Sequence, residues 1–344
     1  MKIGIMTFHW ATNYGAILQA YALQEALKSI GHEVAIIDYK PSRYDDTLWS
    51  FIRFRKFLDL RKYLNERRKE ARLSVFRKRY LKLTNRFYTQ NKLSIIGNNF
   101  DALVSGSDQV MNESFLVNGE RGGSTAYFLD FGSKNTLRFA YAASFGTTNY
   151  SDDLIKRVRP LIEVFDDVSS REESGLSIFE KMGANNASLV PDPTLLQSKD
   201  FYARLLKSEE KLENRNRAYF LRGRDCVVAD ALGKLNAELL IDISLEQWLN
   251  SIRYSSHFIT NSFHGVVFCL IFHTPFTVVL DTKENIGMND RFYTLLKPLS
   301  LTDRIFSEAE FNSASTECSF DWNSIDNKME GLRKIGFDYL KQIK

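Results

Sequence analysis

Short apolar runs alternate with helically spaced stretches along most of this chain. Residues 2–7 form a compact apolar run closed by a polar loop. Residues 15–30 then place Ala16, Leu18, Ala20, Ala22, Leu23, Ala26 and Leu27 on the spacing of a buried helix face. Gly31 stands where that helix would end in left-handed backbone. Residues 34–38 read as a second buried strand, so 2–38 is a β-α-β unit and predicts a parallel sheet. Further strands are expected at 100–104 and 137–142, ended by the polar turns Gly106-Ser-Asp-Gln109 and Ser144-Phe-Gly146. A basic, aromatic helical stretch is expected over 48–83, and a helix over 152–165 with Ser151 as N-cap.

The pattern restarts with a short strand at 168–170, a helix at 172–182 and a strand at 188–190, followed by the rigid turn Pro191-Asp-Pro193. Strands at 218–221, 238–241, 257–260 and 276–280 follow, and a last helix spans 322–344. The longest apolar stretch, 266–272, suits a buried helix. Two successive β/α runs predict an α/β protein of two doubly wound, Rossmann-like domains, 1–168 and 169–344, with a terminal helix counted with the second; analogy with two-domain clefts also allows that helix to cross back to the first. A length of 344 residues agrees with two domains. Two such domains facing a cleft make the GT-B-like arrangement. Ligands in these sheets sit beyond the carboxyl ends of the strands.

Composition narrows the class. Apolar residues at 44% and charged residues at 26% support a packed core. Cys226, Cys269 and Cys318 are too few for a disulfide framework or a four-thiolate zinc site and suit a reducing compartment. The apolar run at the N-terminus is too short for a secretory signal, and no window is long and apolar enough to span a membrane. A cytoplasmic location is expected. From Arg43 to Arg86, fifteen basic residues stand against five acidic ones, so this segment carries +10 and the rest of the chain −6. Interleaved with Phe51, Phe54, Phe57, Tyr63 and Phe76, that block is either a solvated helical face or a contact for an anionic membrane surface or acceptor. No nucleic-acid-binding module accompanies it.

Five loops after predicted strands carry the candidate chemistry. The first, 7–15, contains Asn13 and Gly15 at a helix start, either a cap or an anion and hydroxyl site; it lacks G-x-G-x-x-G, and no G-x-x-x-x-G-K-[ST] occurs anywhere. The second offers Ser107, Asp108 and Gln109 for hydroxyls, against a simple Asx turn. The third presents Arg171, a planar fork for carboxylate or phosphate unless Glu172 or Glu173 occupies it. The fourth, Thr260-Asn-Ser-Phe-His-Gly265, sets Ser262 and His264 at the start of an apolar helix, where an imidazole can move a proton near neutral pH. The fifth, 281–291, supplies Lys283 and Arg291. No metal-ligand spacing is present, and neither metal nor cofactor is expected.

Six strings occur in one order: Asn13-Tyr-Gly-Ala-Ile-Leu-Gln-Ala-Tyr-Ala-Leu23, Val104-Ser-Gly-Ser-Asp-Gln109, Ser170-Arg-Glu172, Asp192-Pro-Thr-Leu-Leu196, Thr260-Asn-Ser-Phe-His-Gly265 and Asn289-Asp-Arg291. Together they resemble the polysaccharide pyruvyl transferase family. The resemblance implies a GT-B-like fold and a reaction in which pyruvate passes from phosphoenolpyruvate to a sugar as a ketal, in surface or exopolysaccharide biosynthesis. It puts His264 and Arg171 in the active site, with Lys283 beside them, the acceptor on the first domain and the donor on the second. The residues suit that chemistry: Arg171, Lys283 and Arg291 would bind the donor's two anionic ends, His264 would move protons, and Asp108 would orient or deprotonate a free or lipid-linked acceptor. Two other readings stand beside it: a GT-B glycosyltransferase with a nucleotide-sugar donor, and a non-catalytic protein of a polysaccharide operon.

Overall fold

Parallel pairing runs through both sheets of the protein, as a chain of β-α-β crossovers requires. The computed structural model describes residues 1–44, 60–206, 209–221, 228–280 and 286–344. It divides into two compact units, Met1–Pro193 with Gly336–Lys344, and Thr194–Ile335.

The first unit is built on β1 (Lys2–Met6), β2 (Glu33–Ile36), β3 (Ala102–Ser105), β4 (Leu137–Ala143), β5 (Asp167–Ser170) and β6 (Ser188–Leu189), in the order β2-β1-β3-β4-β5-β6. Ile3, Ile5, Leu103 and Val104 are all fully buried because helices cover both faces of a parallel sheet. The helix Tyr14–Ser29 links β1 to β2; it starts at Asn13 in extended backbone and is followed by Gly31 at φ +98°. The order reverses direction at β1, so the loops after β1 and β3 flank a switch point, where such sheets bind ligands.

The second unit repeats this logic with β7 (Arg215–Tyr219), β8 (Glu238–Leu239), β9 (Ser255–Thr260), β10 (Phe276–Leu280) and β11 (Ile305–Ser307), in the order β11-β10-β9-β7-β8. Its switch point lies between β7 and β9. The helix Phe263–Phe272 is buried at every position, as an element apolar all round must be. The two doubly wound units match the expected fold class.

Two boundaries differ from expectation, and the last helix takes one of the two places open to it. β5 and β6 complete the first sheet, so the domain boundary falls at Pro193 rather than near 168. The restart seen at 168–170 is a further β-α-β repeat, and periodicity cannot tell which sheet a strand will join. Arg171 therefore belongs to the first unit. The last helix, Trp322–Leu340, ends in the first unit, where the Tyr339 hydroxyl donates to the Ala140 carbonyl at 2.9 Å and the ring meets Tyr141 edge-on. The strand at 276–280 is not the last of its sheet: β11, only half-buried, pairs beyond it.

The expected basic stretch contains the helix Leu60–Tyr80; residues 45–59 lie outside the described residues. Leu73 and Phe76 are its buried face, and Phe76 packs on Tyr21 and Tyr80. Buried Arg77 pairs with Glu70, whose other oxygen accepts from the Thr12 hydroxyl at 2.9 Å.

Candidate active site

At the first switch point the loops after β1 and β3 are tied directly to each other. The Thr7 hydroxyl donates to the Ser107 carbonyl at 2.8 Å, and the Gln19 amide donates to the Thr7 hydroxyl at 2.8 Å and to the Ala16 carbonyl at 2.7 Å. A helix residue thereby holds the polar turn after β3. Asn13 acts as an N-cap: its side-chain oxygen accepts from the Gly15 amide at 2.9 Å and the Ala16 amide at 3.3 Å. Gly15 is buried in that first turn.

Asp108 adopts φ +83°, uncommon for a residue with a side chain. Its carboxylate accepts from the Gln109 amide at 2.8 Å, and its carbonyl accepts from Val110 and Ser144. The turn is buttressed by Gly146, at φ +66°, where an added Cβ would lie 2.8 Å from the Gln109 side chain. Glycine takes that backbone without strain and leaves room for the Gln109 side chain.

Behind the turn lies a buried charge cluster. The Arg171 side chain is sealed from water and pairs with Asp192 Oδ2 at 3.0 Å and Glu172 Oε2 at 3.3 Å, with Asp108 Oδ1 at 3.9 Å. Ser107 Oγ donates to the same Asp192 oxygen at 3.0 Å. Burial works to lower the Arg171 pKa, but the charges of Glu172, Asp192 and Asp108 outweigh it and raise it. Glu172 also accepts from the Phe145 amide at 3.2 Å, linking the loops after β4 and β5.

This setting changes the expected role of Arg171. Its fork already faces protein carboxylates, so it positions Ser107 and Asp108 instead of clamping an incoming carboxylate. Glu172 is the partner that the sequence offered as the alternative for this fork; Asp192, to which sequence reasoning gave no role, completes the cluster. The available signal was an acid between two prolines, which fix its backbone.

A second buried pair lies after β1 and β2. His9, fully buried, sets Nε2 3.0 Å from Asp38 Oδ1 and Nδ1 3.1 Å from the Thr7 carbonyl. Arg86 Nε reaches Asp38 Oδ2 at 2.9 Å. Burial would raise the Asp38 pKa, yet His9 and Arg86 hold it below the usual carboxylate value.

In the second unit the motif Thr260–Gly265 folds as a brace. The Asn261 side-chain oxygen accepts from the Leu221 amide at 2.7 Å, joining the loops after β9 and β7 across the switch point. Thr260 Oγ1 donates to the Tyr219 carbonyl at 2.6 Å and accepts from the Ser262 amide at 3.0 Å. Ser262 is the N-cap, its hydroxyl accepting from the Gly265 amide at 3.2 Å. At Gly265 an added Cβ would stand 3.1 Å from Thr260 Oγ1. Each polar residue thus has a structural duty that leaves His264, only 8% exposed, in the first turn of the helix.

Arg291 joins this turn from another element. It lies in the first turn of the helix Asp290–Leu296, and its guanidinium lies 5.6 Å from the Phe263 ring and 5.4 Å from the Phe292 ring. Phe263 itself meets His264 edge-on at 5.4 Å. The structure therefore gathers Ser262, His264 and Arg291 in the second unit, and Ser107, Asp108, Gln109 and Arg171 in the first. Lys283 lies outside the described residues. Among the described residues no cluster of three or more His, Cys, Asp or Glu side chains could hold a metal ion. No helix among them is long and apolar enough to cross a membrane.

Comparison with known proteins adds three findings. A family model described as polysaccharide pyruvyl transferase matches residues 13–282. No curated protein matches significantly. Among solved structures, the chain is similar to UDP-GlcNAc 2-epimerase from Methanocaldococcus jannaschii, with 10% identity over 96% of this chain and 92% of that one and a TM-score of 0.45. It is also similar to UDP-N-acetylglucosamine 2-epimerase from Rickettsia bellii, with 8% identity, coverage of 99% and 98%, and a TM-score of 0.45. Spinosyn forosaminyltransferase SpnP is similar at 11% identity, 98% and 95% coverage and a TM-score of 0.41.

Proposed function

The chain belongs to the polysaccharide pyruvyl transferase family, and from that premise we propose that it transfers pyruvate from phosphoenolpyruvate to a saccharide as a ketal. The observation that carries this reading is the meeting of His264 and Arg291 on Phe263, at the carboxyl end of β9. An imidazole that can move a proton and a guanidinium that can bind an anion share one helix start, whose backbone N–H groups also favour negative charge.

The proposed reaction is balanced with no external oxidant or reductant. His264 delivers a proton to the methylene carbon of phosphoenolpyruvate, which makes C2 electrophilic. A saccharide hydroxyl adds to C2 and loses its proton. The C2–O bond to phosphate breaks, and a second hydroxyl of the same sugar closes the ketal, losing its proton in turn. One of the two hydroxyl protons reprotonates His264, and the other leaves with the released phosphate. Arg291, with Lys283, would hold the donor's carboxylate and phosphate. In the first unit, the Asp108 carboxylate, held by the Arg171 cluster, suits a saccharide hydroxyl.

Peripheral contact with an anionic membrane surface forms the second part of the proposal. On the helix Leu60–Tyr80, Arg67, Arg68, Arg72, Lys78 and Arg79 are all exposed, as are Leu64 and Val75, the latter at 66%. Cations near an anionic leaflet contribute about 1 kcal/mol each, enough for weak, salt-sensitive association with a lipid-linked acceptor.

Phosphate release from phosphoenolpyruvate, measured with a panel of soluble and lipid-linked saccharides, tests the reaction. Acceptor-dependent release supports it. Binding of a nucleotide-sugar with no binding of phosphoenolpyruvate would overturn it in favour of glycosyl transfer.

A further inference from the structure

A cavity of about 530 Å³ opens in the first unit, past the carboxyl end of β2, lined in part by Pro41, Arg43, Tyr88, Thr89, Glu120 and Arg121. Two adjacent stretches of chain build it. Beyond β2 the backbone continues beside the segment 83–87, with parallel bridges Ile36↔Leu83 and Tyr39↔Phe87 and the Lys40 amide donating to the Phe87 carbonyl at 2.9 Å. That pairing delivers Pro41 and Tyr88 to the same mouth.

Its charged groups are held in different ways. Glu120 is rigid: its Oε1 accepts from the Tyr39 hydroxyl and, at 2.6 Å, from the Gln90 amide. Arg43 is tethered through one Nη1 bond of 2.7 Å to the Asn118 carbonyl, which leaves most of its donors for a ligand. The Arg121 guanidinium has no hydrogen-bond or ion-pair partner among the described residues. Tyr88 is 44% exposed and its hydroxyl is likewise unpartnered there. The lining carries two cations against one anchored carboxylate.

We propose that this cavity binds a saccharide unit bearing a single negative charge. The Tyr88 ring and Pro41 offer apolar surface to the C–H face of a pyranose, and an exposed aromatic with a polar tip suits a ligand that is itself amphipathic. Glu120 keeps Oε2 to accept from sugar hydroxyls. Arg43 and Arg121 pair with the ligand's anion, and a guanidinium fork matches carboxylate and phosphate alike. The lining's excess of one positive charge selects a monoanion: a neutral sugar leaves it uncompensated, and a diphosphate is repelled by the fixed Glu120. The volume lies within the range of small-ligand sites.

This site is separate from the Arg171 cluster. Four strand spacings part β2 from β5 in the sheet, roughly 19 Å at about 4.8 Å each. The inference does not depend on the proposed reaction, because binding alone tests it, without a donor and without turnover.

The experiment is isothermal titration of the full chain with methyl glucuronide, the methyl phosphodiester of glucose 1-phosphate, neutral methyl glucoside and inorganic phosphate; the first two each carry one negative charge. At least one anionic saccharide is expected to bind tenfold or more tightly than the glucoside, a difference of about 1.4 kcal/mol. The tighter of the two identifies the anion as carboxylate or phosphate. Arg121→Gln and Tyr88→Ala should each weaken it by a similar factor; both side chains are exposed, so the thermal midpoint should not move. The proposal is overturned if no probe binds, if the glucoside binds equally well, if inorganic phosphate binds as tightly as the saccharides, or if both variants keep the wild-type affinity.

Discussion

Arg171 Nη1 lies 3.0 Å from Asp192 Oδ2, and the two side chains are almost wholly excluded from water. Each depends on the other, because a buried charge that loses its partner is penalised more than the pair contributes. Asp192→Ala is therefore expected to destabilise the protein by about 3–5 kcal/mol. Arg171→Lys keeps the charge but cannot span Asp192, Glu172 and Asp108 together, and should lose both stability and turnover. Urea unfolding monitored by tryptophan fluorescence measures the first effect; an unchanged midpoint for Asp192→Ala would show that the cluster contributes nothing.

His264→Asn should lower the rate of phosphate release by roughly 10²–10⁴-fold, the usual contribution of a positioned proton mover. The thermal midpoint should stay close to wild type, because Thr260, Asn261 and Ser262 make the bonds that shape the turn. Loss of fold in this variant would assign His264 to the core instead.

Gly146→Ala probes the turn that carries Asp108. The added methyl meets Gln109 at 2.8 Å in backbone at φ +66°. A cost of about 1–2 kcal/mol is expected from the left-handed backbone alone. Displacement of Gln109 should raise the KM for the acceptor more than it lowers kcat. A KM shift for phosphoenolpyruvate alone would move the acceptor away from this turn.

His257 supplies a pH signature. It is buried on β9, with Nε2 2.9 Å from Thr277 Oγ1, and burial, aided by the charge of Arg304, lowers its pKa to about 4. The unfolded chain, with an ordinary value near 6.5, binds the proton first, so stability falls as pH drops from about 6.5 to about 4 and is flat above that window. The full effect is roughly 3 kcal/mol. His257→Asn should flatten this part of the stability profile in urea titrations across pH 4–7, and an unchanged slope would place the titrating group elsewhere.

The basic helix is tested by vesicle co-sedimentation. The protein should partition onto vesicles containing phosphatidylserine at low salt and come off at high salt, where the Debye length shrinks to about 3 Å. Arg68→Glu combined with Lys78→Glu should abolish the effect. Equal partitioning onto neutral and anionic vesicles, or none onto either, would leave these cations as a solvated face.

Much of this molecule was legible along the chain. Buried parallel strands read as continuous apolar runs and their crossovers as helical spacing, so two doubly wound units, the turn after β3 and the brace at Thr260–Gly265 were visible as local patterns. So was the buried helix Phe263–Phe272, because nothing but a core accepts ten such residues in succession. Most of the strings that carry the family resemblance lay in loops after strands or at the starts of the helices that follow, where topology places ligands. What only the tertiary structure decided were the partners. Strand periodicity says that 168–170 and 188–190 are strands, but pairing energy is non-local, and β5 pairing with β4, then β6 with β5, sent both to the first sheet and took Arg171 with them. The same holds for charge. A lone arginine after a strand reads as an open fork for an anion; Asp192, Glu172 and Asp108 converge on it only when three separate loops fold together, and burial then turns an expected ligand clamp into the brace behind Asp108.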